Sequence, residues 1–222
     1  MGISIQKKYF FKYLILDSIL SDNDLEYFNN SFNVDIQPSD KLGSFFSIKI
    51  FRDKRIHFNF GENQITQNKI MEIHNKYEKT FHTLLSEMCP AKLKLHNYTE
   101  YTLNCTGKDY KYAIHDDIPS KLLSAVIYLK PEENTGTIIY PSPEYKLWNG
   151  ELAFPSEGTL IHWKQNRGFV FSRIHQKTWH SYQGDTKKNR LTLIINICSD
   201  KVKEVMEIEN SKEFKDSITW TN

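Results

Sequence analysis

Residues 122–129, Leu-Leu-Ser-Ala-Val-Ile-Tyr-Leu, constrain the fold more than any other part of the chain. The run is apolar on both faces, which is the pattern of a strand covered from both sides and therefore central in its sheet. Other strand signals surround it. Residues 190–197 alternate cleanly, with Arg190, Thr192, Ile194 and Asn196 on one face and Leu191, Leu193, Ile195 and Ile197 on the other. Residues 92–103 alternate in part, 110–114 read as extended chain, and 136–140 and 158–163 are short strands opened by glycine. Upstream the period changes. Ile70, Ile73, Tyr77, Phe81, Leu84, Leu85 and Met88 recur at three- and four-residue spacing, predicting a helix over 66–88 that Pro90 ends. Before it come a strand over 10–16, a short helix through Leu25 and Phe28 capped by Ser21, and one or two strands within 45–60. Early helices and late short strands give an α+β class, the N-terminal helices packed on a sheet and the C-terminal part a β-sandwich or barrel. A single domain is expected over 1–222. It divides into lead-in strands and supporting helices (1–91), a β core (92–200) and a charged tail (201–222) that docks as a helix or frays.

Bulk properties exclude more than they assign. Lys and Arg number 29 against 27 Asp and Glu, so no electrostatic footprint for nucleic acid or an anionic membrane stands out. Cys89, Cys105 and Cys198 are odd in number and lack CxxC spacing, as free thiols in a reducing compartment would be. No apolar run is long enough to span a bilayer, and the first residues lack the apolar core of a signal peptide. The expectation is a soluble cytoplasmic protein with no nucleic-acid or membrane partner.

The chemistry candidates are His115, Asp117, His180 and Arg190. His115 and Asp117 form a His-x-Asp pair flanked by extended chain, and residues i and i+2 of a strand point to one side. With His180 they make two imidazoles and one carboxylate on a β scaffold, the facial triad of open non-haem iron sites. Three positions on such a metal stay free for a chelating cosubstrate and oxygen. His175 is a rival for His180. Arg190 follows His180 by ten residues across a polar turn. A hairpin of that length would bring its guanidinium to the same inner face, where it can take a carboxylate bidentately. Asp116 points away from its neighbours, to an outer position or to solvent.

Together these residues resemble the Fe(II)/2-oxoglutarate-dependent dioxygenase superfamily, in its prolyl-4-hydroxylase-like branch. The matching segments are His115-Asp116-Asp117, the strand 121–129 with Gly136-Thr137 after it, Gly158 to Ile161, Trp179-His180-Ser181 and Arg190-Leu191-Thr192. Asn189 stands where the family often has glycine, and Thr135-Gly136 replaces a Gly-Gly. The resemblance implies a double-stranded β-helix, a jelly-roll or cupin-like barrel. It implies Fe(II) on His115, Asp117 and His180, and 2-oxoglutarate with its far carboxylate on Arg190 beside Thr192. Tyr101 is the candidate for the family's oxoglutarate-contacting tyrosine, with Tyr98 and Tyr112 as rivals. Molecular oxygen would be the co-reactant. The implied outcome is hydroxylation of a C–H bond in a small molecule or a peptidyl residue such as proline, with succinate and CO2 as co-products. Asp117 favours hydroxylation over halogenation, since related halogenases put a small residue there. Two other readings keep the ligands: a metal-dependent hydrolase using zinc or manganese, and a non-catalytic cupin-like binding module. Substrate would be read by 45–60, 131–135, 142–151 and 165–173, which include Tyr145, Trp148, Arg167, Phe169 and Arg173.

Overall fold

The structure, a computed structural model, describes residues 3–6, 11–35, 37–141, 145–146, 152–153, 158–184 and 187–218. In chain order these form β1 (Ile3–Gln6), β2 (Tyr13–Asp17), α1 (Asp22–Ser31), β3 (Leu42–Phe51), β4 (Ile56–Phe60) and α2 (Gln67–Met88). A 3-10 turn (Pro90–Leu95), β5 (Tyr98–Thr106), β6 (Lys111–His115), β7 (Lys121–Lys130) and β8 (Thr137–Ile139) follow. Then come β9 (Tyr145–Lys146), β10 (Leu152–Ala153), β11 (Thr159–Leu160), β12 (Arg167–Phe171), β13 (His180–Gln183), β14 (Arg190–Cys198), α3 (Val202–Asn210) and α4 (Lys212–Ile218).

The described residues form two main antiparallel sheets and a two-stranded antiparallel pair, β10-β9. The larger has eight strands in the order β1-β2-β12-β7-β14-β5-β3-β4, and the smaller has four in the order β11-β8-β13-β6. As its composition requires, β7 lies inside the large sheet, between β12 and β14. Its two faces serve different layers. Leu123, Ala125, Ile127 and Leu129 join the core under the helices, whereas Tyr128 joins a smaller aromatic core with Ile139, Phe169 and Phe171 between the sheets.

The α2 stripe lands on the outer face of the large sheet. Ile70, Ile73, Phe81 and Leu85 are fully buried there with Ile48, Leu103, Leu193 and Ile195. Full burial of each such side chain contributes roughly 1.5–3 kcal/mol. Thr66 caps α2 and Ser21 caps α1, each accepting from the backbone N–H three residues on. Asp24 ties the two helices together, accepting from Tyr77 Oη at 2.6 Å and Lys76 Nζ at 2.7 Å. Burial opposes its ionisation, but hydrogen bonds from Lys76, Tyr77 and Ser21 outweigh burial and hold the carboxyl at about 2. A folded-state pKa below the unfolded one stabilises the protein above the unfolded value of about 4, and that contribution is lost as pH falls toward 2. Asp24→Asn should therefore lower the Tm at neutral pH and flatten the loss of stability between about pH 4 and pH 2, as measured by thermal melts followed by circular dichroism.

Several segments depart from the expected pattern. The alternation expected over 92–103 begins only at Tyr98, because Pro90 opens a helical turn and Lys92 is drawn inward, fully buried, onto Glu209. The glycine-led strand at 158–163 reduces to two residues. The tail docks: α3 buries Val205 and α4 buries Phe214. All three cysteines are free and buried.

A candidate metal centre between the sheets

His115 and His180 sit directly opposite each other on the paired strands β6 and β13, their ring centroids 4.2 Å apart. Each ring is fixed through Nδ1 by a backbone carbonyl two residues earlier. His115 Nδ1 lies 3.0 Å from the Ala113 oxygen and His180 Nδ1 lies 2.8 Å from the Thr178 oxygen. A carbonyl only accepts, so Nδ1 carries the proton and each Nε2 keeps its lone pair for a metal.

Asp117 reaches the same point by another route. Strand β6 ends at His115, so the same-face argument from strand geometry does not apply to Asp117. Its carboxylate is instead turned inward by Ser124 Oγ, 2.9 Å from Oδ2, and Lys121 Nζ, 2.6 Å from Oδ1. Arg173 Nε donates to its carbonyl at 2.9 Å. The three prospective ligand atoms lie within 4.8 Å of one another. Burial opposes ionisation of Asp117, but the charges of Lys121 and His180 and the hydrogen bonds from Lys121 and Ser124 hold it at about 2. Burial pushes His180 down to about 4 against the pull of Asp117. At neutral pH Asp117 is therefore an anion and His180 a neutral imidazole with its lone pair inward. With the Nδ1-tied His115, this donor set suits a divalent transition metal.

The triad opens into a cleft of about 330 Å³ between the sheets, lined also by Arg190, Thr192 and Ser124. The expected hairpin between His180 and Arg190 is not what joins them. Strand β13 pairs with β6 and β8, and β14 pairs with β5 and β7, so the polar turn crosses from one sheet to the other. Both side chains still face the space between.

Arg190 is buried, with 7% of its surface exposed. Its guanidinium lies on the face of Tyr182, 3.1 Å from the ring centroid, and 5.8 Å from that of Trp163. Nη1 reaches the Thr135 carbonyl at a long 3.4 Å, and Nε has no hydrogen-bond partner among the described residues. Burial lowers its pKa to about 10, countered only by the phenols of Tyr182 and Tyr128 and by no carboxylate among the described residues. It stays cationic at neutral pH. A buried cation with no anion is costly, and an anionic ligand would remove that cost.

Tyr101 does not face this cleft. It is fully buried in the helix-covered core, its hydroxyl 3.0 Å from His74 Nδ1. Its neighbours Glu100, Thr102 and Asn104 line the cleft, so the odd residues of β5 point to the helices. Two buried tyrosines stand next to Arg190, Tyr182 and Tyr128, and the hydroxyl of Tyr128 donates to Thr137 Oγ1 at 3.0 Å. Tyr101→Phe should cost about 1 kcal/mol of stability through the lost His74 bond, measured by denaturation. Of its rivals, Tyr112 lines the cleft with its ring 4.5 Å from that of His115, and Tyr98 lies beneath Lys49 Nζ.

Other candidates fall outside the site. His175, the rival for His180, takes Arg173 Nη2 at 3.0 Å rather than joining the triad. Of the segment 165–173, Phe171 lines the cleft, its ring 5.1 Å from that of His180, while the residues singled out there are engaged elsewhere. Arg167 pairs with Asp17 at 2.6 Å, Phe169 is core, and Arg173 is committed to Glu209 at 2.8 Å. The side chains of Tyr145 and Trp148 lie outside the described residues. Sequence reasoning missed Lys121, Ser124, Tyr128 and Tyr182. The parity of β7 was a usable signal for two of these, since Ser124, Val126 and Tyr128 share one face.

No protein-family model matches the chain, and no curated protein matches it. Among solved structures its fold is similar to that of an oxidoreductase of the 2OG-Fe(II) oxygenase family from Burkholderia pseudomallei. The TM-score is 0.51 at 11% identity, covering 85% of this chain and 87% of that one. At that identity the likeness is one of fold. No helix among the described residues is long and apolar enough to cross a membrane.

Proposed function

We propose that this chain is an Fe(II)- and 2-oxoglutarate-dependent dioxygenase of the prolyl-4-hydroxylase-like type, its two sheets forming a double-stranded β-helix. One observation carries the reading. A His-Asp-His set with its lone pairs turned inward shares a cleft with a buried guanidinium that no acid among the described residues neutralises. His115, Asp117 and His180 would hold the metal. Arg190 would take the far carboxylate of oxoglutarate, with the Thr192 hydroxyl on the same face of β14 beside it. Bound iron supplies oxygen activation coupled to decarboxylation of oxoglutarate to succinate and CO2, the second oxygen atom entering a substrate C–H bond.

The protein's own contribution is placement and exclusion of water. The carbonyls of Ala113 and Thr178 fix both imidazole planes, and Ser124 and Lys121 fix the carboxylate. Tyr182, Trp163 and Tyr128 wall the guanidinium from solvent and so strengthen its hold on an anion. On the open side, Tyr110, Tyr112 and the exposed Ile118 make an apolar rim, suited to the apolar body of a small molecule or a peptidyl residue such as proline. The three buried free thiols accord with a cytoplasmic location. A hydrolase would leave Arg190 without a task.

The test is succinate production under air with Fe(II), screened across amino acids, proline-containing peptides and sugars, alongside metal analysis of protein prepared without oxygen. Zinc retained as the active metal, with no succinate formed, would replace this reading with a hydrolase.

A further inference from the structure

A second group of charges, largely buried, adjoins the metal ligands, with Asp116 at the edge of the cleft. Arg173 is 1% exposed and makes contacts in four directions. Nε donates to the Asp117 carbonyl at 2.9 Å, Nη1 to Glu209 Oε2 at 2.8 Å and Nη2 to His175 Nδ1 at 3.0 Å, while Nη2 also lies 3.6 Å from Asp116 Oδ2. Glu209, on α3, also accepts from Lys92 Nζ and from the His175 N–H at 3.0 Å. Asp116 accepts from Thr178 Oγ1 at 2.6 Å and from the Gln176 N–H at 2.7 Å. Thr178 is the residue whose carbonyl fixes His180. Two cations and two anions thus balance in a desolvated cluster, and the cluster touches both ligand-bearing segments.

The arrangement exceeds what packing needs. Buried ion groups seldom add net stability over an apolar replacement, so their retention points to a positional task. Here the segment carrying Asp117 and the segment leading to His180 come from different turns of the chain, and Arg173 and Asp116 are the groups that bridge them. Glu209 fixes Arg173 from the C-terminal helix.

We propose that Asp116, Arg173 and Glu209 are positioning residues for the metal centre, so that docking of α3 sets metal affinity. This rests on the metal reading above. The test titrates full-length wild type, Asp116→Asn and Glu209→Gln with Mn(II), and records the visible absorption of each with Co(II). Ile73→Val, in the α2 core away from the site, controls for lost stability. Asp116→Asn and Glu209→Gln are expected to raise the Mn(II) Kd roughly tenfold or more and shift the Co(II) bands, the control leaving both unchanged. Should the acidic-residue variants fail to fold, Thr178→Val should show the same weakening and Thr178→Ser, which keeps the hydroxyl, should restore affinity. Wild-type Kd and spectrum in the folded variants, with only the Tm lowered, would reduce the cluster to a structural role. Wild-type protein that takes up neither ion would overturn the metal reading itself, and this role with it.

Discussion

On the proposed reading, Asp117→Ala is expected to abolish metal uptake and succinate production. The carboxylate is the only anion in the proposed ligand set, and its loss would leave two imidazoles to face a dication with no charge compensation. It also strands Lys121, whose largely buried ammonium sits 2.6 Å from Asp117 Oδ1. An unpaired cation would then stand beside the metal position and repel a second one. Mn(II) affinity should fall by at least about a hundredfold, since one ligand and the compensating charge go together. Stability should fall as well, by about 1–3 kcal/mol, because a buried donor loses its acceptor. The two effects separate in a double variant. Asp117→Ala with Lys121→Met removes the stranded charge, so the Tm should recover while Mn(II) binding does not. Isothermal titration and thermal melts on the same samples measure both, and retained Mn(II) binding in the single variant would remove Asp117 from the site.

What the sequence disclosed and what it withheld follow from the range of the interactions. The α2 stripe, the Ser21 and Thr66 caps and the double-faced run of β7 are local patterns, and they reappear as elements. Arg190 was legible because clean alternation in β14 separates an apolar face from one bearing Arg190, Thr192 and Asn196. The same logic, applied to β5, sets Tyr101, Leu103 and Cys105 on the apolar face and Glu100, Thr102 and Asn104 on the polar one. Tyr101 was thus a core residue by its own parity, and the family resemblance drew attention away from that pattern. The Arg173–Glu209 pair spans 36 residues and joins a loop to a helix, so no spacing rule marks it. The crossing from β13 to β14 was equally hidden, because a polar turn of that length suits a hairpin and a change of sheet alike.

Arg190→Met separates function from stability in the opposite direction. In a ligand-free protein the Arg190 guanidinium is a desolvated cation whose Nε has no partner among the described residues, so an apolar side chain of similar length should raise the Tm. The same change should destroy the cosubstrate site. Charge-assisted hydrogen bonds contribute about 1.5–3 kcal/mol each, and a guanidinium can offer a carboxylate two of them. Oxoglutarate affinity in the Mn(II)-loaded protein should therefore fall by about two to four orders of magnitude, with Mn(II) affinity itself nearly unchanged. Arg190→Lys should fall between the two, since an ammonium keeps the charge and loses the planar fork and the stacking on Tyr182. A gain in Tm joined to a loss of oxoglutarate is the signature of a residue held against its folding cost for a ligand. If Arg190→Met binds oxoglutarate as wild type does, the anion has another partner. If the Tm drops instead, the guanidinium is structural and the identity of the cosubstrate reopens.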